Sequence, residues 1–144
     1  KKLIKKRRFW GWRKKVDKIN KKDYFFDSYA LIEINKGNPD YLKYKDSRVV
    51  ITLLNLMEFY YALLKFTNKD VANKKFQKYL SNCIKLKPDI IMESAEFRHE
   101  FNKNSKFKIS YIDAIGYITA KKLNIKFLTG DEAFRELPDV EFAK

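Results

Sequence analysis

From Tyr24 onward the chain alternates short apolar runs with longer segments whose apolar residues recur every three or four positions. The first pattern fits buried strands and the second amphipathic helices. Tyr24-Phe25-Phe26 predicts a strand, closed by Asp27, and Ser28–Asn35 predicts a helix, stopped by Lys36-Gly37-Asn38-Pro39. Asp40–Lys45 adds a short helix, and the β-branched run Arg48–Thr52 a second strand. Helices follow over Leu54–Phe66 and Asn68–Asn82, the latter with Val71, Phe76 and Leu80 as core candidates. Ile84–Leu86 predicts a short strand before Pro88, Glu93–Asn102 a helix, and Lys103–Lys108 a basic loop. In Ser110–Leu123 the residues Ile109, Ile112, Gly116, Tyr117 and Ala120 keep helical spacing; Ile125–Thr129 is then a strand, Gly130-Asp131 a turn and Val140–Phe142 an edge strand.

Strands alternating with helices imply an α/β domain with a parallel sheet covered on both faces. Such sheets bind ligands outside the carboxyl ends of their strands. Asp27 and Asp131 each follow a predicted strand directly, so both are expected at that edge. Two further acids break the helical pattern. Asp113 lies four residues after Ile109 and four before Tyr117, and Glu58 lies between Leu54 and Ala62 at the same spacing. A carboxylate on an apolar stripe is costly unless something pairs with it.

Each acid also has a structural reading. Asp27 fits the N-cap of the helix that follows it, and Ser110-x-x-Asp113 has capping-box spacing. Asp131 fits a cap for the turn Asp131-Glu132-Ala133-Phe134, and Glu58 fits a pairing with a buried Lys or Tyr. If all four converge, electrostatics demands a cation: two carboxylates about 4 Å apart repel by roughly 4 kcal/mol at an effective dielectric near 20. All-oxygen ligands select Mg²⁺ or Mn²⁺ over zinc or copper, and such an ion suits phosphodiester chemistry. No Gly-rich phosphate loop of the nucleotide-triphosphatase type is present.

Charge adds a second region. The net charge is +14, and residues 1–23 hold 12 Lys or Arg against Asp17 and Asp23, so most of the excess sits in this arm. Three readings of the arm stay open: a nucleic-acid arm with Trp10 or Trp12 stacking on bases, a membrane-surface helix built on Phe9, Trp12, Val16 and Ile19, and a solvated extension docked on the domain. The expected organisation is thus a basic arm, 1–23, and a domain, 24–144. With 144 residues and 45% hydrophobic content the chain is long and apolar enough to bury a core. One Cys (Cys83) and one His (His99) exclude an internal disulfide and a zinc site of the usual nitrogen and sulfur type. A Cys83–His99 nucleophilic pair has no supporting motif. No run reaches the ~20 apolar residues of a membrane span, so no stable membrane insertion is expected and a cytoplasmic location is the default.

The ordered set FFDSYALIEI, LMEFYYALL, SYIDAIGYITAKKL and FLTGDEAF resembles the PIN-domain nucleases, including the toxin ribonucleases of bacterial and archaeal toxin–antitoxin pairs. The resemblance spans Tyr24 to about Phe142. It implies a three-layer α/β/α fold with a parallel sheet of about five strands and metal-dependent endonuclease chemistry on RNA. By position it implies Asp27, Glu58, Asp113 and Asp131 as catalytic, metal-holding acids, supported by Ser28, Ser110 and Thr129. Mg²⁺ or Mn²⁺ is the implied cofactor and RNA the substrate, with a small antitoxin as candidate protein partner and a homodimer as candidate assembly. The chain departs from many toxin members in carrying Ala62 where they have Gly and in its long basic arm. The competing expectation is a non-catalytic RNA- or ribosome-binding module that works through the basic arm.

Overall fold

The computed structural model describes residues 22–144. The expected apolar stripe of the arm lies outside the described residues. Four strands form one parallel sheet in the order β2-β1-β3-β4: β1 (Asp23–Phe26), β2 (Arg48–Val50), β3 (Lys126–Thr129) and β4 (Val140–Phe142). The helices are α1 (Ser28–Asn35), α2 (Leu53–Phe66), α3 (Lys69–Tyr79), α4 (Pro88–Asn104) and α5 (Tyr111–Leu123). Short 3₁₀ turns cover Pro39–Tyr44, Leu80–Asn82 and Glu132–Phe134.

Alternation along β1 sorts the core into two layers. Tyr24 and Phe26 join Leu31, Leu56, Phe59 and Leu128 on the face that α1 and α2 contribute to. Phe25 joins Phe127, Tyr117, Ile118 and Phe134 on the face covered by α5. The α/β/α layering therefore follows from which side of β1 each aromatic ring leaves. Gly116 sets the distance of α5 from the sheet. A Cβ there would stand 2.8 Å from the Phe25 ring and 3.0 Å from the Phe127 ring, which stack on each other with centroids 5.9 Å apart.

The expected strand at Ile84–Leu86 is reduced to a single parallel bridge between Ile51 and Cys83, which leaves four strands where about five were expected. Asn82 supplies part of the missing ladder, its side-chain amide donating to the Val49 carbonyl at 2.9 Å, and Ile84 N donates to Ile51 O at 2.8 Å. Pro88 then opens α4 as its first helical residue rather than merely ending a strand, so this helix begins five residues before Glu93. On α3 the buried positions are Ala72 and Tyr79; Leu80 is 41% exposed, because the helix gives way to a 3₁₀ turn there. At its start β1 takes in Asp23, which sequence placed in the arm.

β1 is central: β2, reached through α1, lies on one side of it, and β3, reached from β2 through α2 to α5, on the other. The connection changes direction between β1 and β3. The carboxyl ends of these two strands therefore flank the crevice where parallel sheets hold ligands.

Candidate active site

Asp27 follows β1 and caps α1. Its Oδ1 accepts from Ala30 N at 3.0 Å and its Oδ2 from the Thr129 hydroxyl at 2.5 Å. Thr129, the last residue of β3, also accepts from Asp131 N at 3.0 Å, so one buried hydroxyl ties the two strand ends together. Asp131 in turn caps the Glu132–Phe134 turn, accepting from Ala133 N at 3.0 Å. Gly130 between them makes the turn possible: a Cβ there would lie 2.6 Å from the Ala143 carbonyl and 2.3 Å from the Tyr29 ring. Asp113 is the third residue of α5 and closes a capping box, with Asp113 N donating to Ser110 Oγ at 3.1 Å and Ser110 N to Asp113 Oδ2 at 3.0 Å.

The capping readings of Asp27, Asp113 and Asp131 are thus all realised, and Asp27 lies within electrostatic reach of the other two. Asp27 is 4% exposed, and its carboxyl is pushed up to about 7, first by burial and then by the charges of Asp113 and Asp131, against the two hydrogen bonds that favour ionisation. Asp113 is also raised, first by burial, with Asp131 adding to it against its two bonds to Ser110. Each of the three therefore lies in the field of the others. Among the described residues, none of them makes an ion pair with a Lys or Arg. The positive ends of α1 and α5 offset part of this charge, at about 0.3–1 kcal/mol each.

Glu58 is joined to this group indirectly. The Ser28 hydroxyl, next to Asp27, donates to Glu58 Oε1 and accepts from Asn55 Nδ2 at 3.2 Å. Asn55 is a functional candidate absent from the expectations. It is 1% exposed, its Oδ1 accepts from Thr52 N at 3.1 Å and Thr52 Oγ1 at 2.8 Å, and it aims the amide at Ser28. The available signal was the Thr52-x-x-Asn55 spacing, a capping box placed one turn before Glu58. Cys83 and His99 form no pair: Cys83 is half-buried with its thiol pushed up to about 11 by burial, and its sulfur contacts the Tyr79 carbonyl at 3.8 Å.

The donor set fits a hard divalent cation in chemistry and charge: carboxylate and hydroxyl oxygens only, with two carboxyls held above their ordinary range first by burial and then by neighbouring acids. Each cap also leaves an oxygen over. Asp113 Oδ1, Asp131 Oδ2 and Glu58 Oε2 have no hydrogen-bond partner among the described residues. The side chains as they stand are not drawn into a closed set: among the described residues no three His, Cys, Asp or Glu groups are gathered tightly enough to enclose an ion.

A PIN-domain profile matches residues 24–140. The chain belongs to the PIN-domain family. That family comprises nucleases, and the α/β layering around a parallel sheet is its fold. Solved structures with the same fold include a toxin–antitoxin complex from Klebsiella pneumoniae, with a TM-score of 0.65, 23% identity, and coverage of 82% of this chain and 95% of that one. VapBC2 from Rickettsia felis, bound to a DNA fragment from its promoter, superposes with a TM-score of 0.61 at 20% identity, covering 85% and 99%. DNA-bound VapBC from Salmonella typhimurium gives 0.61 at 14% identity, covering 84% and 96%. No curated protein matches the sequence. Among the described residues no helix is long and apolar enough to cross a membrane.

Proposed function

We propose that this PIN domain is a cytoplasmic endoribonuclease dependent on Mg²⁺ or Mn²⁺, and that it acts as the toxin of a toxin–antitoxin pair. The observation that carries the reading is the mutual field of Asp27, Asp113 and Asp131 at the β1/β3 crevice, with no described cation to balance it. Asp27, Asp113 and Asp131 would hold the ion, with Glu58 completing the set. Bound there, the ion would neutralise charge on the scissile phosphodiester and acidify water beside it. The chain's own contribution is to fix the ligands before the ion arrives. Thr129 and Ala30 N hold both oxygens of Asp27, Ser110 holds Asp113, Ala133 N holds Asp131, and Ser28 with Asn55 holds Glu58. Thr129 bridges Asp27 and Asp131, so the strand ends cannot drift apart without breaking a buried bond.

The toxin assignment is supported by three structures of similar fold, the Klebsiella pneumoniae toxin–antitoxin complex and the two VapBC complexes. It makes a small antitoxin the expected protein partner and a homodimer the expected assembly. The test is cleavage of structured and unpaired RNA with Mn²⁺ or Mg²⁺ by the wild type and by Asp27→Asn. Removing one ligand is expected to lower the rate by about 10³-fold, since a metal clamp contributes several kcal/mol to the transition state. Equal cleavage by both proteins, or none with either metal, would refute the assignment.

A further inference from the structure

The junction between α4 and α5 carries a feature that the metal cradle does not use. Tyr111, the first residue of α5, is 62% exposed although it is large and aromatic, and it stands two residues from Asp113. The Arg98 guanidinium covers its ring at 4.0 Å from the centroid. With that much surface exposed, the ring keeps an open face. Neither partner is loosely placed: Arg98 Nε donates to the Ile109 carbonyl at 2.9 Å, which leaves the plane of the guanidinium fixed against the ring. Asn102 grips the same residue from both sides, donating to Ile109 O at 3.2 Å and accepting from Ile109 N at 2.9 Å. Ile109 itself is 2% exposed, so the loop is pinned into the core one residue before Ser110.

The approach to this ring is basic. Arg98 and Lys103 on the last turns of α4 and Lys106 and Lys108 in the loop before Tyr111 stand against Glu100 alone. A second exposed ring, Phe107 at 39%, has the Lys106 ammonium 5.2 Å from its centroid. Exposed rings, each with a cation on or near it and one of them two residues from Asp113, are poorly explained as packing, because they bury little. They match what unpaired nucleic acid needs, flat surfaces for bases and cations for the phosphates between them. Tyr111 lies ~3 Å along the helix axis from Asp113 and on a different face of α5, so a base on the ring and a phosphate at the acids need not compete for space.

We infer that Tyr111, backed by Arg98, is a stacking platform that receives an unpaired RNA base beside the scissile phosphate, with Phe107 and Lys103, Lys106 and Lys108 guiding the strand towards it. This rests on the ribonuclease reading for its substrate, and it adds that the substrate is bound as splayed single strand. Tyr111 is then a positioning residue that selects unpaired over paired RNA.

The test is fluorescence anisotropy of a short labelled unpaired RNA, and of the same RNA annealed to its complement, titrated with the full chain in EDTA so that binding is read without cleavage. Tyr111→Ala is expected to weaken binding of the unpaired RNA by about 5- to 150-fold, the range for losing one stacked base, and to leave duplex binding unchanged. Tyr111→Phe should keep wild-type affinity within about twofold, because it retains the ring. Because Tyr111 is exposed, thermal unfolding of both variants should match the wild type. The inference is overturned if Tyr111→Ala binds as the wild type does, if unpaired and duplex RNA lose affinity together, if Tyr111→Phe falls as far as Tyr111→Ala, or if the chain binds no RNA. A protein that binds through Tyr111 yet never cleaves would sink the nuclease assignment and keep the platform. A protein that cleaves indifferently to Tyr111 would do the reverse.

Discussion

The two ends of β1 treat a buried carboxylate in opposite ways. Asp23 opens the strand with its side chain 3% exposed, and it meets Arg48 at 2.9 Å, the residue directly across in the β1–β2 register. Asp27 closes the strand equally hidden, and its neighbours are Thr129, a backbone amide and two more acids. At the first end a guanidinium matches the charge. At the second the protein adds negative charge to negative charge, and burial lifts Asp27 to about 7. A fold that needed only stability would have no use for the second arrangement, so the unmatched end is where an incoming cation has the most to gain.

That contrast can be broken at either end. The largest effect on stability should come from Arg48→Met, which removes the guanidinium that faces the buried Asp23 carboxylate. A loss of about 3–5 kcal/mol is expected by denaturant unfolding, and pairing it with Asp23→Asn should recover most of it. Asp27→Asn should act in the opposite direction. In metal-free protein near pH 8 it is expected to stabilise by about 1–3 kcal/mol, because it removes a buried charge that the bonds from Thr129 and Ala30 N only partly offset. A destabilised Asp27→Asn would erase the proposed difference between the ends.

The pH dependence follows from the same shift. Asp27 has a folded value of about 7 against an ordinary 3.8, so between these values the folded chain holds a proton that the unfolded chain has released. Its contribution to stability is present below the ordinary value and lost as pH rises towards about 7. Metal-free wild type should therefore weaken over that window, and Asp27→Asn should lack this component. A smaller effect is expected of Thr129→Val, which removes the hydroxyl shared by Asp27 and Asp131. It should cost about 1–2 kcal/mol and lower cleavage by roughly 10- to 100-fold through displaced ligands. Ser110→Ala, which removes one half of the Asp113 capping box, should be the mildest at about 1 kcal/mol.

Much of the architecture could be read before any coordinates. Tyr24-Phe25-Phe26 reads as a short buried strand, and Asn124 ends α5 in the left-handed conformation that Asn tolerates. The elements that shifted did so for local reasons. Pro88 is compatible with both the end of a strand and the start of a helix, and beside Ile51 the pairing stops at one bridge, with the Asn82 side chain donating to Val49 in place of a further ladder bond. For the site, position along the chain marked Asp27, Asp113 and Asp131 but could not separate cap from ligand, since each is a cap. Their convergence is a property of the strand order, with β3 crossing to lie beside β1. The Asp23–Arg48 pair was illegible for the same reason: 25 positions apart, the two residues meet only once the β1–β2 register is known. The bond from Asn55 to Ser28 depends on how α1 packs on α2.

The central claim is that the carboxyl end of β1 is built to take a cation, and the most direct measurement is thermal unfolding with and without Mn²⁺. At 100 times the dissociation constant the wild type should gain about 2.7 kcal/mol, more at pH 8 than at pH 6 because the ion must displace the proton on Asp27. Asp27→Asn and Asp113→Asn should lose most of that gain, while Ser110→Ala should keep the larger part. A wild type indifferent to Mn²⁺, or variants that gain as much as it does, would contradict the account.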